Sequence, residues 1–424
     1  MISKKLTFVN QNFNMDKQTR DFIQEHLNDD VIQLGLQTKR YPDVDISLAI
    51  RQISGRQKCR NKVPIFYENT ELLFPANLSV EQASSEITAK YKAGLFSGKI
   101  FADLTGGFGV DFYFMSQHFT RGIYVERDES LCSIAVHNFK QLKIENFEIQ
   151  HQTAESFLAS MPKVDLIYID PHRRNSSGKK TVLITDCEPD VSLLVSELLK
   201  KSPQVLIKLS PMLDIHQAIA VLPQTTEVHV IAVENECKEV LLILDAIKLD
   251  VAISAENTRN VLIKTANFQK NNRIQSFDFQ LNEELISESE FTTSPLQFLY
   301  EPNAAIMKSG AFKSVAARFG LKKIHPNTHL YTDEVLKNDF PGRIFEIEAV
   351  FGNSKADLRI LKQTYPKANI ATRNYPMTVD AFRKKSGIQD GGDHYLFAMK
   401  TYSGNFSIVA CKKIDLSKET NLSD

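Results

Sequence analysis

Between residues 100 and 249 the chain repeats short apolar runs of strand length, separated by polar or amphipathic stretches. The runs are IFADL (100–104), GIYVER (122–127), FEIQHQ (147–152), VDLIYID (164–170), QVLIKLS (204–210), EVHVIAVEN (227–235) and EVLLILDAI (239–247). Helical patterns fit between most of them, so the alternation predicts a parallel α/β sheet. Only Glu236, Cys237 and Lys238 separate the last two runs. That is too short for a crossover helix, which predicts an antiparallel hairpin and a Rossmann-like, seven-stranded sheet whose last strand reverses. This is not the standard dinucleotide-binding order.

The flanks read differently. Apolar spacing at Phe22, Ile23, Leu27, Val31, Ile32 and Leu36 predicts a helical domain over residues 1–98. Within it, Arg51, Arg56, Lys58, Arg60 and Lys62 form a run without acids, read either as a solvated face or as a phosphate-contact strip. The stretch NLSVEQASSEITAKYKAG predicts one helix capped by Ser79, with Gln82 completing a capping box. After the α/β domain (99–250), residues 251–300 read as strand and loop, and EPNAAIMKSGAFKSVAARFG as helix. From Arg343 the order strand, helix, strand, helix, strand, strand predicts a small α+β module. The predicted divisions are therefore 1–98, 99–250, 251–339 and 340–416. The last carries Arg373, Arg383, Lys384, Lys385, Lys400, Lys412 and Lys413, which outnumber its local acids.

Composition narrows the class. The 424 residues are 42% hydrophobic and 24% charged, as in globular proteins. A formal charge of zero gives no global attraction to nucleic acid, so any such contact must come from local patches. There is no window of membrane-spanning length and no apolar leader in MISKKLTFVNQNFN, which predicts a cytoplasmic protein. Cys59, Cys132, Cys187, Cys237 and Cys411 lie far apart, which predicts free thiols and no metal site.

The candidate chemistry begins at KIFADLTGGFGVD: an apolar strand, Asp103, then a turn with Gly106, Gly107 and Gly109 before a helix. Such a turn admits positive φ and close approach of a nucleotide-like ligand. Asp103 can accept from an ammonium group, and the paired oxygens of Glu126 suit the hydroxyls of a ribose. Asp170 and the rigid Pro171 at the fourth strand end face the crevice where a reacting group would sit.

DLTGGFGVD, the acid of IYVERD and the DP of YIDPHRR resemble motifs I, II and IV of class I S-adenosylmethionine-dependent methyltransferases. SSEITAKYKAG, DPHRR, ENECKE and the α+β tail resemble a bacterial group of these enzymes with a THUMP-like C-terminal domain. The resemblance implies S-adenosylmethionine as cofactor, with its methionine part against Asp103, Thr105, Gly106, Gly107 and Gly109. It implies the ribose on Glu126 beside Arg127, and the adenine flanked by Thr153, Ala154 and Glu155. Asp170, Pro171, His172 and Arg173 would line the path to the acceptor. It also implies a ferredoxin-like or connecting domain over 251–339, a THUMP-like domain over 340–416 and an RNA substrate, a tRNA or rRNA base.

Amine-methylating relatives carry Asn or Asp, Pro, Pro and an aromatic residue where this chain has Asp170, Pro171, His172 and Arg173. The loss of the second proline and the ring leaves the acceptor atom open. Cys187 and Cys237 are the candidate nucleophiles for a carbon-5 pyrimidine reaction. Lys208, Asn235 and Glu236 are candidates for the acceptor side, with Lys208 equally readable as a snorkelling surface lysine. Rival readings are methylation of a small molecule or protein, a non-enzymatic RNA-binding protein that keeps the fold, and, last, a dehydrogenase.

Overall fold

A computed structural model of the chain describes residues 15–173, 183–248 and 260–416. Arg174 with residues 175–182, and residues 249–259, fall outside the described residues. The chain divides into two compact units, residues 1–225 with 242–252 and residues 226–241 with 253–424.

In the first unit, β1 (Gly98–Asp103), β2 (Phe119–Glu126), β3 (Phe147–His151), β4 (Leu166–Ile169) and β7 (Gln204–Leu209) pair side by side, all parallel. Two-residue strands β5 (His172–Arg173) and β6 (Cys187–Glu188) form a small antiparallel ribbon after β4. Crossover helices start on side-chain caps where the sequence supplies Asp or Thr: Asp128, Thr153, Asp190 and Asp214 each accept from an amide of the first turn. The core beneath the sheet is aromatic. Phe112 and Phe139 stack with centroids 4.7 Å apart, and Phe101 packs on Phe112 at 4.9 Å.

β8 (Thr225–Val233) and β9 (Glu236–Asp245) form the expected hairpin. Its turn is Glu234–Asn235, both at positive φ as a two-residue hairpin turn needs, so β9 begins at Glu236 rather than after Lys238. β10 (Leu262–Phe268) adds parallel to β8, and β11 (Ile274–Gln280) antiparallel to β10. The strand order is β11-β10-β8-β9-β7-β4-β1-β2-β3. The seven expected strands are present with the reversed strand inserted beside β7, and two strands from the region read as strand and loop extend the sheet to nine.

The described part of the predicted 1–98 domain, from residue 15, is helical as far as Ala93 as expected, with three corrections. Phe22 and Ile23 join Leu34, Ile46, Ala49 and Ile53 in a buried cluster, but Ile32 and Leu36 are 71% and 77% exposed. The predicted single helix is two, Asn77–Gln82 and Glu86–Ala93, and the cap is Ser85, which accepts from Thr88 N. The basic run lies on helix Ile46–Lys62 but is largely spent internally. Arg56 is buried and donates to the carbonyls of Tyr67, Asn69, Thr70 and Leu72 at 3.0–3.3 Å. Lys58 pairs with Glu81 at 2.5 Å, and Lys62 donates to the Val80 carbonyl at 3.0 Å. Of the run only Arg51 and Arg60 are exposed, so a continuous phosphate strip along this helix is not formed.

The second unit has its own sheet, ordered β13-β14-β12-β15-β18-β17-β16. Its strands are β12 (Phe298–Pro302), β13 (Lys322–Lys323), β14 (Tyr331–Asp333), β15 (Gly342–Phe351), β16 (Lys367–Arg373), β17 (Gln389–Lys400) and β18 (Phe406–Lys413). Helices Lys355–Thr364 and Val379–Ser386 bury Leu358, Leu361 and Phe382 against it. The order predicted from Arg343 is the order observed. The stretch read as one helix after Pro302 is two, Ala304–Ser309 and Ser314–Phe319, because Gly310 ends the first in the left-handed conformation.

Replacing Arg56 with Ala strands four carbonyls that one guanidinium now satisfies. Urea denaturation of that variant is expected to show a loss of about 3 kcal/mol with the slope unchanged.

Candidate functional site

Parallel register fixes the chemistry on one edge of the first unit's sheet. Asp103 is opposite Tyr124 of β2 and Tyr168 of β4. Glu126 and Asp170 each follow those tyrosines by two residues, so the carboxyl groups of three adjacent strands reach the same edge. Backbone bonds pin the turn to both neighbours: Leu104 N donates to the Tyr168 carbonyl at 3.0 Å and Gly106 N to the Val125 carbonyl at 2.9 Å. The acids grip the turn in return. Asp103 Oδ1 accepts from Thr105 N at 3.0 Å, Glu126 Oε2 from Gly107 N at 2.9 Å, and Thr105 Oγ1 from Asp170 N at 2.7 Å.

The glycines have separate causes. A Cβ on Gly106 would come 2.1 Å from the Tyr124 ring, and one on Gly109 2.8 Å from Phe139. The Tyr124 hydroxyl donates to the Gly107 carbonyl at 2.6 Å, holding that ring under the turn. Only Gly107, at φ 56°, has no close neighbour where a Cβ would stand. Two glycines thus make room for the protein's own rings, and the third is the one whose outer face is open.

Electrostatically the edge is short of positive charge. Asp103 is 1% exposed; burial pushes its carboxyl well above the usual range, the Thr105 amide opposes this, and the charges of Asp111, Asp170 and Glu126 add to the rise. Burial acts on Asp111 too, but Lys92 and then Lys208, with hydrogen bonds from Ser84 and Tyr168, outweigh it and hold its carboxyl below the ordinary value. Lys92 Nζ lies 3.2 Å from Asp111 Oδ1, and Oδ2 accepts from Ser84 Oγ at 2.7 Å and from the Tyr168 hydroxyl at 2.8 Å. Lys208 on β7 forms an ion pair with Asp170. It is therefore not a snorkelling surface lysine.

Family comparison agrees with this layout. Residues 298–341 match a ferredoxin-like domain and residues 342–413 a THUMP domain-like model. The chain is similar to the crystal structure of a protein from Porphyromonas gingivalis W83 described as a candidate methyltransferase. The two are 31% identical over 94% of this chain and 98% of that one, with a TM-score of 0.83. The chain belongs to the class I S-adenosylmethionine-dependent methyltransferases, in the bacterial group with a THUMP-like C-terminal domain. Two partial likenesses are to an rRNA methylase from Streptococcus thermophilus (14% identical, 39% of this chain, 98% of that one, TM-score 0.30) and to a candidate methyltransferase from Streptococcus mutans in complex with SAH (15%, 38%, 96%, 0.29). At those scores neither bears on this chain's substrate. A comparison with curated proteins found no match.

The remaining expected residues of this methyltransferase are placed unevenly. Glu126 Oε1 also accepts from Asp128 N at 2.9 Å, so each carboxylate oxygen already holds one amide. Arg127 turns away from it, to Glu188 Oε1 at 2.5 Å and His172 Nε2 at 3.0 Å. Thr153 is a helix cap accepting from Ser156 N, Ala154 is buried, and Glu155 is exposed. Pro171 is buried and His172 exposed, while Arg173 is described only by its backbone, opposite Cys187. Cys187 is buried, and burial pushes the Cys237 thiol up to about 11, so Cys237 lacks the thiolate a nucleophile needs. Asn235 and Glu236 belong to the second unit, where Asn235 N donates to Asn267 Oδ1 at 2.9 Å and Glu236 pairs with Lys238 at 2.7 Å.

Residues not singled out in the sequence are Ser84, Lys92, Asp111, Tyr168 and Glu188. Asp111 had a signal: it is an acid inside the apolar helix Val110–Ser116. Among the described residues, no group of three His, Cys, Asp or Glu side chains could hold a metal ion, and no helix is long and apolar enough to cross a membrane.

A carboxyl whose folded value lies above its unfolded one favours the folded state while protonated, and that contribution is lost as pH rises through the folded value. The Asp103→Asn variant without ligand is therefore expected to melt higher than wild type at neutral pH. The gap should close towards pH 4, as scanning calorimetry across pH would show.

Proposed function

We propose that this chain is an S-adenosylmethionine-dependent methyltransferase of RNA, acting on a tRNA or rRNA base in the cytoplasm. The observation that carries the cofactor reading is the buried Asp103 beside the glycine turn, with Glu126 and Asp170 on the same edge. A ligand bearing an ammonium and a sulfonium fits this charge deficit, whereas the pyrophosphate of a dinucleotide would meet three acids. When bound, the cofactor supplies an electrophilic methyl group on sulfur.

The chain's own residues supply position and charge. Asp103 would take the ammonium group, Gly107 would let the methionine arm lie against the turn, and Glu126 would use its outer lone pairs for ribose hydroxyls. Thr153, Ala154 and Glu155, which open the helix after β3, would flank the adenine. Asp170, held between the Thr105 hydroxyl and Lys208, would receive the proton of an attacking nitrogen, and Lys208 would stabilise its charge until then. Pro171 and the His172–Arg127–Glu188 cluster would shape the acceptor side. Much of the rate gain would come from alignment, since methyl transfer needs an in-line, close nucleophile.

The RNA reading is supported by the THUMP-like module. Three of its bases are engaged: Arg373 with Glu301, Arg383 with Asp390 at 2.5 Å and Lys412 with Glu348 at 3.1 Å. Lys384 and Lys385, exposed at the end of helix Val379–Ser386, have no partner within the protein among the described residues. They are among the cations that remain for phosphate.

Mass spectrometry of RNA nucleosides from cells with and without the gene tests this. One methylated nucleoside should disappear, return with wild type and not return with Asp170→Ala. An unchanged nucleoside profile would refute RNA as the substrate.

A further inference from the structure

The second unit contains a cleft of about 770 Å³ between the β8–β9 turn, the β10–β11 turn and segments 338–344 and 413–416. Its size suits a ligand of one or two nucleotides by the range for small-molecule sites, about 300–1,000 Å³. Its floor is built from side-chain amides. Asn267, 2% exposed, accepts from Asn235 N and donates to Gln275 Oε1 at 3.1 Å. Gln275 Nε2 in turn donates to the Gly342 carbonyl at 3.0 Å. Asn303, also 2% exposed, caps helix Ala304–Ser309 by accepting from Ala305 N and Ile306 N, and Asn235 Oδ1 accepts from Ala304 N at 2.8 Å. Each of these amides is fixed by a partner, so the floor is set before any ligand arrives.

The unspent lining side chains include two carboxamides and two cations. The side chains of Gln269, Arg273, Asn338 and Lys413 make no hydrogen bond or ion pair within the protein among the described residues. By contrast Lys270 pairs with Glu234 at 3.4 Å, and Arg343 pairs with Glu301. Two carboxamides offer donor and acceptor side by side, the pattern that reads a base edge, and two cations suit an anionic group. An apolar ligand would desolvate all four without return, and a simple anion would leave the carboxamides unmatched. The acids Asp339 and Asp415 on the rim keep the local charge near balance, so recognition here depends on placed hydrogen bonds more than on long-range attraction.

We propose that this cleft is a binding subsite for an unstacked nucleotide of single-stranded RNA, with Arg273 and Lys413 on phosphate and Gln269 and Asn338 on the base edge. The proposal rests on the RNA reading above. An unstacked base in a single-stranded segment presents both its edge and its phosphate, which is what the unspent groups match.

Fluorescence anisotropy of the full chain with a short labelled single-stranded RNA, over a series of salt concentrations, tests it. Arg273→Glu should weaken binding about tenfold and lower the salt slope by about 1, as loss of a phosphate contact does. Asn338→Ala should weaken binding without changing the slope and should flatten the preference among homopolymers. Both side chains are exposed, so melting should match wild type, and calorimetry should show S-adenosylmethionine binding intact. Wild-type RNA binding by both variants, with loss in Lys384→Glu/Lys385→Glu, would overturn the cleft and leave the RNA reading standing. Cofactor binding by wild type with no RNA binding at all would overturn both.

Discussion

Parallel pairing of β1 with both β2 and β4 forces the carboxyl groups of Asp103, Glu126 and Asp170 onto one sheet edge. Like charges gathered at a partly buried edge repel one another, and the structure answers with two lysines set behind the acids. Lys92 sits on Asp111 and Lys208 on Asp170, so these two acids are matched by lysines while Asp103, the most buried of the three, is not. In the proposed reading, a cationic ligand completes this unmatched carboxyl. The proposed preference for a positively charged cofactor has the same physical origin as the cost of burying Asp103 unpaired.

The turn that meets this edge is shaped as much by packing as by ligand. Tyr124 and Phe139 fill the space under Gly106 and Gly109, and the Tyr124 hydroxyl holds the Gly107 carbonyl. Aromatic residues from β2 and the following helix thus hold the turn rigid, which leaves Gly107 as the open position. Helix Glu86–Ala93 contributes Lys92 from the preceding helical segment, so within the first unit the N-terminal helices and the sheet share one buried polar cluster.

Much of this was legible in the sequence. The strand runs, the short hairpin connection and the order of elements after Arg343 follow from periodicity and loop length, which depend on local spacing alone. The acids at the strand ends were legible for the same reason. What escaped depends on partners distant in sequence. Lys92 reads as one more helical lysine until Asp111 is placed beside it, and Arg56 reads as part of a basic strip until four carbonyls converge on it. Ile32 and Leu36 fit a helical stripe, yet that helix buries only Leu34. The break at residues 83–84 was masked because Ser79 and Ser85 offer similar caps, and only Ser85 is used.

The central claim is that an acid-lined edge selects a sulfonium cofactor over a pyrophosphate one. Isothermal titration of the full chain with S-adenosylmethionine and, separately, with NAD tests it most directly. The account predicts saturable one-site binding of S-adenosylmethionine, weakened in Asp103→Asn, and no heat of binding with NAD. Saturable NAD binding without S-adenosylmethionine binding would contradict it.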